Sequence, residues 1–138
     1  MNEVLEEAIS GQTVRPEEYS PLLLAYVGDA VYEVFIRTYL VKRGNLPVNE
    51  LHSRSKRYVS AKAQSVIMGK LEESLTEDEI RIYKRGRNAK SATVPKNADV
   101  GDYRRATGLE ALVGYLYLKG EFERLYHILS LIPGVYDE

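Results

Sequence analysis

Two carboxylates in this sequence stand out because each interrupts a strongly apolar segment. Asp29 lies within Leu-Leu-Leu-Ala-Tyr-Val-Gly-Asp-Ala-Val-Tyr at positions 22–32, and Glu110 lies within Ala-Thr-Gly-Leu-Glu-Ala-Leu-Val-Gly-Tyr-Leu at positions 106–116. A carboxylate among apolar side chains is costly to bury unless it is paired, hydrogen-bonded or bound to a metal. A glycine near each acid, Gly28 or Gly108, allows two backbones to approach closely. If two helices cross at these glycines, both carboxylates point into one cleft.

Clustered carboxylates in a chain without cysteine suit a hard cation such as Mg²⁺ or Mn²⁺. Such a cation can activate water and stabilise the charge of a phosphodiester transition state. An ion pair of either acid with Arg37, Arg104 or Arg105 is an alternative that the sequence leaves open. Glu33 shares a helix face with Asp29. It is either a further ligand or, as we favour, an exposed partner of Arg37.

Several other kinds of site are excluded by composition. The chain contains no cysteine, which rules out disulfides and cysteine-ligated zinc or iron–sulfur centres. Its two histidines, His52 and His127, are far apart in sequence and form no zinc motif. Serine-hydrolase and P-loop signatures are also absent.

Basic residues are concentrated in two stretches, although the net charge is only −1. Residues 51–71 contain five Lys or Arg and no acid, and residues 81–105 contain eight against two acids. Local potential matters more than total charge for a polyanionic partner, and Lys and Arg neutralise phosphates. The candidate RNA-binding residues are Lys56, Arg57, Arg85, Arg87, Lys90 and Lys96. The alternative is that these residues only keep a helix and a loop solvated.

The length of 138 residues fits a single compact domain spanning residues 1–138, and 44% apolar residues are enough for a core. The N-terminus lacks the positive charge and apolar run of a signal peptide. No apolar stretch approaches the roughly 18–20 residues that cross a bilayer. We therefore expect a soluble, cytoplasmic protein without a membrane partner.

Capping and stop signals predict an all-α domain. Ser20 followed by proline predicts a helix start, and Gly44 predicts its end. Thr76 with Glu79 fits a capping box, and Asp102 is the predicted cap of a later helix. The predicted helices cover residues 1–10, 21–43, 48–71, 76–87, 103–119 and 121–132, the last being stopped by Pro133-Gly134. The segment 88–101 is predicted to be a long loop, which is often functional.

Two motifs resemble those of a known family. Leu-Ala-Tyr-Val-Gly-Asp-Ala-Val at 24–31 resembles the signature helix of ribonuclease III, Leu-Glu-Phe-Leu-Gly-Asp-Ala-Val. Thr-Gly-Leu-Glu-Ala-Leu-Val-Gly at 107–114 resembles the second acidic motif, Asp-x-x-Glu-Ala-Leu-Ile-Gly. With Tyr-Val-Ser-Ala-Lys-Ala-Gln at 58–64 and the short length, the sequence is most similar to Mini-III, a catalytic domain that lacks a double-stranded RNA-binding domain. The resemblance covers about residues 19–131.

The resemblance implies a ribonuclease III-like endonuclease fold of about five to seven helices, acting as a homodimer. The implied reaction is Mg²⁺-dependent hydrolysis of double-stranded RNA to 5′-phosphate and 3′-hydroxyl ends, with Mn²⁺ able to substitute. The implied substrate is precursor large-subunit (23S) ribosomal RNA. Asp29 and Glu110 are the implied catalytic residues and metal ligands.

Two departures from the ribonuclease III pattern bear on this prediction. Ala25 and Thr107 stand where ribonuclease III has a glutamate and an aspartate. The loss of these acids leaves open the number of metal ions and whether Glu33 is a ligand. It also favours an alternative function, a non-catalytic RNA-binding or ribosome-assembly module with the same fold.

Overall fold

The helices of this protein surround one largely buried helix, α6. A computed structural model describes residues 3–9, 11, 14–90 and 94–137, and all regular elements within them are helical. Helix α6 packs against α2, α4, α5 and α7. The described α-helices are α1 (Glu3–Ile9), α2 (Pro21–Arg43), α3 (Val48–Val59), α4 (Ala61–Leu71), α5 (Glu77–Asn88), α6 (Val100–Lys119), α7 (Phe122–Ser130) and α8 (Ile132–Asp137). Short 3-10 turns cover Pro16–Glu18 and Glu72–Ser74. The predicted all-α fold is confirmed.

The core is densest where α2 and α6 pack along each other. Helix α2 buries Tyr32 and Ile36 at four-residue spacing, and α6 buries Leu109, Leu112 and Val113. Each fully buried Leu or Ile stabilises the fold by about 1.5–3 kcal/mol relative to exposure. None of the helices in the described part of the chain combines the length and apolar character that crossing a bilayer requires.

Most of the predicted helix ends are confirmed by their capping groups. The Ser20 hydroxyl accepts a hydrogen bond from the Leu23 N–H at 3.3 Å. Thr76 and Glu79 form the predicted capping box, with reciprocal bonds of 2.9 and 3.2 Å. Gly120 ends α6 with φ of 79°, a left-handed conformation that glycine adopts without steric cost. These caps fix where the long helices begin and end.

The predicted helix over residues 48–71 is wrong in one respect, because the structure divides it into α3 and α4. Ser60 adopts an extended conformation (φ −64°, ψ 154°) between them. Its N–H bonds the Lys56 carbonyl, and its hydroxyl caps α4 by accepting from the Ala63 N–H at 3.2 Å. A serine can compete with helical hydrogen bonds in this way, and no glycine or proline marks the break. The chain therefore turns a corner between α3 and α4.

Two other predicted boundaries are also corrected. Asp99, and not Asp102, caps α6, with its side chain accepting from the Asp102 N–H at 2.9 Å. The predicted loop is correspondingly shorter, and its residues 91–93 lie outside the described residues. Pro133 does not stop the last predicted helix; it stands in the first turn of α8, where its missing N–H is tolerated. Helix α1 accords with the first predicted helix, of which residues 1, 2 and 10 lie outside the described residues.

Candidate active site

The candidate active site lies where α2 and α6 cross at two glycines. A Cβ atom on Gly28 would overlap the backbone carbonyl of Glu110, and one on Gly114 would overlap the carbonyl of Leu24. The predicted close crossing is therefore present, but its partner on α6 is Gly114 and not Gly108. Gly108 faces Tyr83 of α5 instead. The absence of a side chain at Gly28 brings the neighbouring Asp29 close to Glu110.

The two predicted catalytic carboxyls lie within hydrogen-bonding reach of each other. Glu110 is partly buried on α6, whereas Asp29 is exposed at the edge of α2. Burial, a hydrogen bond with Asp29 and the charge of Asp29 raise the pKa of Glu110 to about 8. Two carboxylates in contact repel each other, so one of them holds a proton at neutral pH unless a cation replaces it. The structure thus brings the two predicted residues together.

Neither acid is neutralised by the arginines that the sequence offered as alternatives. Arg37 pairs with Glu33 at 2.9 Å, and Arg105 contacts Asp102 at 3.4 Å and the Ser65 hydroxyl at 3.2 Å. Arg104 has no acidic partner among the described residues and is exposed. The interpretation of the two carboxylates as members of an ion pair therefore finds no support in the geometry.

Glu33 lies one turn after Asp29 and is half-exposed. Its carboxylate accepts a hydrogen bond from Arg37 at 2.9 Å, which confirms the favoured interpretation of this residue. Its charge also contributes to the raised pKa of Glu110, after the larger effects of burial and Asp29. Glu33 is therefore close enough to influence the site while its carboxylate is held by an arginine.

The chemistry of the carboxyl pair fits a hard divalent cation. Mg²⁺ is often bound by one or two carboxylates, with waters and substrate phosphates completing its coordination. Within the described ranges, no group of three or more histidine, cysteine, aspartate or glutamate residues is arranged to hold a metal. A cation at this site would therefore take Asp29 and Glu110 as its protein carboxylates.

The two positions that lack the acids of ribonuclease III have apolar or locally satisfied side chains. Ala25 is buried in α2, one turn before Asp29. Thr107 is buried in α6, one turn before Glu110, and its hydroxyl donates to the Tyr103 carbonyl at 3.0 Å. Neither residue can supply a carboxylate, so the site is limited to two acids at its centre.

Gln64 is a site residue that the sequence analysis did not identify. It lies on α4, and its side-chain Nε2 donates to Glu110 Oε2 at 3.5 Å. The segment 58–64 offered one signal for Gln64: it is an amide that follows the small residues Ala61 and Ala63. Amides are common on helix surfaces, so this signal alone did not indicate burial beside Glu110.

Two of the predicted RNA-binding arginines are engaged in contacts within the protein. Arg85 donates to the backbone carbonyls of Glu17 at 3.3 Å and Tyr19 at 3.4 Å, which ties α5 to the segment before α2. Arg87 donates to the Asn88 side chain at 3.1 Å and lies over the Tyr83 ring. Both residues are of intermediate exposure.

The four predicted RNA-binding residues that remain are exposed and lie in different places. Lys90 lines a crevice of about 270 Å³ together with Arg104 and Thr107. Thr107 lies one turn before Glu110 on α6, although neither Glu110 nor Asp29 lines this crevice. Lys96 is exposed in the loop before α6, and Lys56 and Arg57 are exposed at the end of α3. Arg104 was considered only as an ion-pair partner, although its three-residue spacing from Thr107 places both on one face of α6.

Comparisons with known proteins agree with this geometry. A family model described as Ribonuclease III domain matches residues 22–121. Mini-ribonuclease 3 of Clostridium tetani is 50% identical over 123 residues, covering 88% of this chain and 82% of that protein. Mini-ribonuclease 3 of Thermoanaerobacter sp. is 54% identical over 119 residues, covering 86% and 84%.

A solved structure shows the same fold. The crystal structure of a protein from Fusobacterium nucleatum superposes with a TM-score of 0.78 at 35% identity, covering 87% of this chain and 96% of that chain. The family match includes both carboxylates and the helices that carry them. This chain therefore belongs to the ribonuclease III family, within the group of Mini-ribonuclease 3 proteins.

Proposed function

We propose that this ribonuclease is a Mg²⁺-dependent endonuclease that hydrolyses double-stranded RNA at the Asp29–Glu110 pair. Mn²⁺ can substitute for Mg²⁺, and the products carry 5′-phosphate and 3′-hydroxyl ends. The observation that carries this proposal is the contact between two carboxyls in a protein of the ribonuclease III family. Such a contact is unfavourable in the absence of a cation and favourable in its presence.

Each part of the site has a distinct task in this proposal. Asp29 and Glu110 would hold the cation, and the close crossing at Gly28 fixes their separation. When bound, the cation would activate water and stabilise charge on the phosphate. Lys90 and Arg104, which line one crevice, would bind phosphates of the RNA. Duplex RNA is recognised mainly through phosphates and 2′-hydroxyls, which suits such a set of groups.

The proposed substrate is precursor large-subunit (23S) ribosomal RNA, cut during ribosome biogenesis in the cytoplasm. Its support is the similarity to proteins named Mini-ribonuclease 3. Basic groups on α3, on the loop before α6 and on α6 would supply contacts to such an RNA.

We also propose that the protein is a homodimer. An apolar groove of about 800 Å³ runs along α2 beside Asp29 and is lined by Val31, Phe35 and Leu129. Two other side chains that line it are largely exposed, Tyr26 at 79% and Val34 at 64%. A protruding aromatic beside an apolar groove suits a twofold interface, in which the same surface of each copy covers the other. Two copies would also provide two sites, one for each strand of the duplex.

The dimer proposal is tested by the replacement of Val34 with glutamate. This change puts a charge in the centre of the proposed interface, so sedimentation at micromolar concentration should change from dimer to monomer. Val48→Glu is the matched control, because Val48 is exposed at the start of α3 and does not line the groove. A parent protein that sediments as a monomer would contradict the proposal.

The catalytic proposal is tested by incubating the purified protein with a duplex RNA, with Mg²⁺ or with a chelator. We expect cleavage of both strands with Mg²⁺ and intact duplex with chelator. End-labelling should show 5′-phosphates. RNA binding without any cleavage would instead support the alternative function, a non-catalytic RNA-binding or ribosome-assembly module.

A further inference from the structure

Gln64 is a buried polar residue whose carboxamide is only partly satisfied by hydrogen bonds. Among the described residues, the buried polar or charged side chains are Gln64, Glu79 and Thr107. Glu79 pairs with Arg124, and Thr107 bonds a carbonyl in its own helix. Gln64 is only 2% exposed, and its Oε1 atom has no hydrogen-bond partner within the described part of the chain. A buried amide oxygen without a partner is unfavourable for stability, so its presence requires another reason.

The amide nitrogen of Gln64 connects two parts of the structure. It donates to the Val59 carbonyl at 3.1 Å and lies 3.5 Å from Glu110 Oε2. Val59 is the last residue of α3, and Glu110 is in the middle of α6. The side chain therefore ties the Glu110 carboxylate to the corner between α3 and α4.

The same corner is tied to the helix that carries the second carboxylate. The Tyr32 hydroxyl, buried on α2, donates to the Tyr58 carbonyl at 2.6 Å. Tyr32 is three residues after Asp29, about one helical turn away. Two buried hydrogen bonds thus connect the α3–α4 corner to both acid-bearing helices, one through Tyr32 and one through Gln64.

We propose that Gln64 is a positioning residue whose carboxamide orients the Glu110 carboxylate so that Glu110 and Asp29 bind one divalent cation together. The inference rests on the proposed function, because it assumes a cation at this pair. Groups that hydrogen-bond a ligating carboxylate commonly change metal affinity or activity by about 10- to 100-fold when removed. This role accounts for the unpartnered oxygen: the nitrogen faces Glu110, and no donor among the described residues reaches the oxygen.

The test compares Gln64→Met, which keeps the length of the side chain and removes its hydrogen bonds, with the parent protein. Mn²⁺ affinity is measured without RNA by electron paramagnetic resonance, and the thermal midpoint is measured without metal. We expect roughly 10-fold weaker Mn²⁺ binding. The thermal midpoint should be unchanged or higher, since the buried unpartnered oxygen is gone. Cleavage should show a lower kcat and an unchanged KM for RNA.

A matched control is Met68→Leu, a volume-conserving change at a buried position one turn further along α4. It should leave Mn²⁺ affinity unchanged. Gln64→Asn provides a second variant, because it keeps the amide but withdraws it from Glu110, and it should also weaken Mn²⁺ binding.

The possible results distinguish the inference from the function on which it rests. Parent-like Mn²⁺ affinity in both Gln64 variants would overturn the positioning role and leave the proposed function intact. A marked fall in thermal midpoint with parent-like affinity per folded molecule would show a structural role and overturn it as well. A parent protein that binds no Mn²⁺ would overturn both.

Discussion

Two glutamates on neighbouring helices are in opposite electrostatic situations. Glu79, in the first turn of α5, receives hydrogen bonds from Arg124 at 2.8 Å and from the Thr76 N–H at 2.9 Å. Burial acts to raise the pKa of Glu79, but these bonds outweigh it, and the pKa lies below its usual value. Glu110 faces Asp29 instead, and its pKa is raised to about 8.

The difference separates a structural acid, Glu79, from Glu110, which we propose to be a metal ligand. The groups around Glu79 satisfy its charge, so the ionised form stabilises the fold. The ionised form of Glu110 is repelled by the charge of Asp29, and a bound cation would relieve this repulsion. Perturbed carboxyls in a cleft are typical of catalytic and ligand sites, and satisfied ones are typical of structural ion pairs. The comparison therefore predicts different consequences when each acid is made neutral.

The largest effect is expected for Asp29→Asn. Loss of one of two ligand carboxylates should reduce cleavage of duplex RNA by about 1,000-fold or more, equivalent to several kcal/mol of transition-state stabilisation. Folding and RNA binding should change little, because Asp29 is exposed and is proposed to hold the cation and not the RNA. Single-turnover cleavage rates measure the effect. Glu33→Gln, one turn away, is the matched control, and an equal loss there would contradict the assignment.

A large effect on stability, without an effect on chemistry, is expected for Glu79→Gln. The change removes the charge that holds Arg124, and the loss should be about 2 kcal/mol at neutral pH. Because the folded pKa of Glu79 is lowered, its contribution is present above the unfolded value of 4.5 and is lost as the pH falls below it. Urea unfolding at pH 7 and pH 4 measures this. Reduced cleavage per folded molecule would contradict a purely structural role for Glu79.

The opposite pH dependence is expected for Glu110→Gln in the absence of metal. The folded pKa of Glu110 is above the unfolded value, so the parent loses stability as pH rises from 4.5 to about 8. The variant should therefore be the more stable of the two at pH 8, and the difference should vanish near pH 4.5. Added Mg²⁺ should raise the thermal midpoint of the parent only. A parent that is more stable than the variant at pH 8 without metal would contradict the account.

The smallest effects on RNA binding and stability are expected for the basic residues. Here too, a side chain satisfied within the protein differs from one that is free to bind a ligand. Arg85 is satisfied by two backbone carbonyls, whereas Lys90 is exposed in the crevice that Arg104 and Thr107 also line. Lys90→Ala should weaken RNA binding and reduce the salt slope by about 1, since one phosphate contact is lost. Arg85→Ala should lower stability by about 1 kcal/mol and change the salt slope less. Filter binding at several salt concentrations distinguishes the two, and equal slopes would argue against phosphate binding by Lys90.

The sequence was sufficient to predict the long helices and the proximity of Asp29 and Glu110, because the signals for these lie in short segments of the chain. Serine and threonine caps, a terminal glycine and an acid in an apolar helix are each visible within a few residues. Ser60 was missed as a helix break because its competing hydrogen bonds are not distinguishable from those of a serine on a helix surface. Asp99 was missed as a cap because Asp102, three residues later, offered the same chemistry.

The rest of the site depends on contacts between distant segments. The sequence does not show which of the two α6 glycines packs against α2. In the structure Gly114 packs against Gly28 of α2, and Gly108 packs against Tyr83 of α5. Gln64 reaches Glu110 across 46 positions in the chain, and no periodicity in α4 encodes that meeting. Arg85 illustrates the opposite error. Its place in a basic stretch predicted RNA binding, but in the structure its guanidinium group binds backbone carbonyls of the segment before α2.

The central claim, that Asp29 and Glu110 together hold a divalent cation, is tested most directly by a crystal grown with Mn²⁺ and a duplex RNA. Anomalous scattering locates the ion without assumptions about activity. The account predicts a peak in contact with carboxylate oxygens of both Asp29 and Glu110 and with a phosphate oxygen of the RNA. Bound RNA with no Mn²⁺ peak at this pair, or with a peak that contacts neither carboxylate, would contradict it.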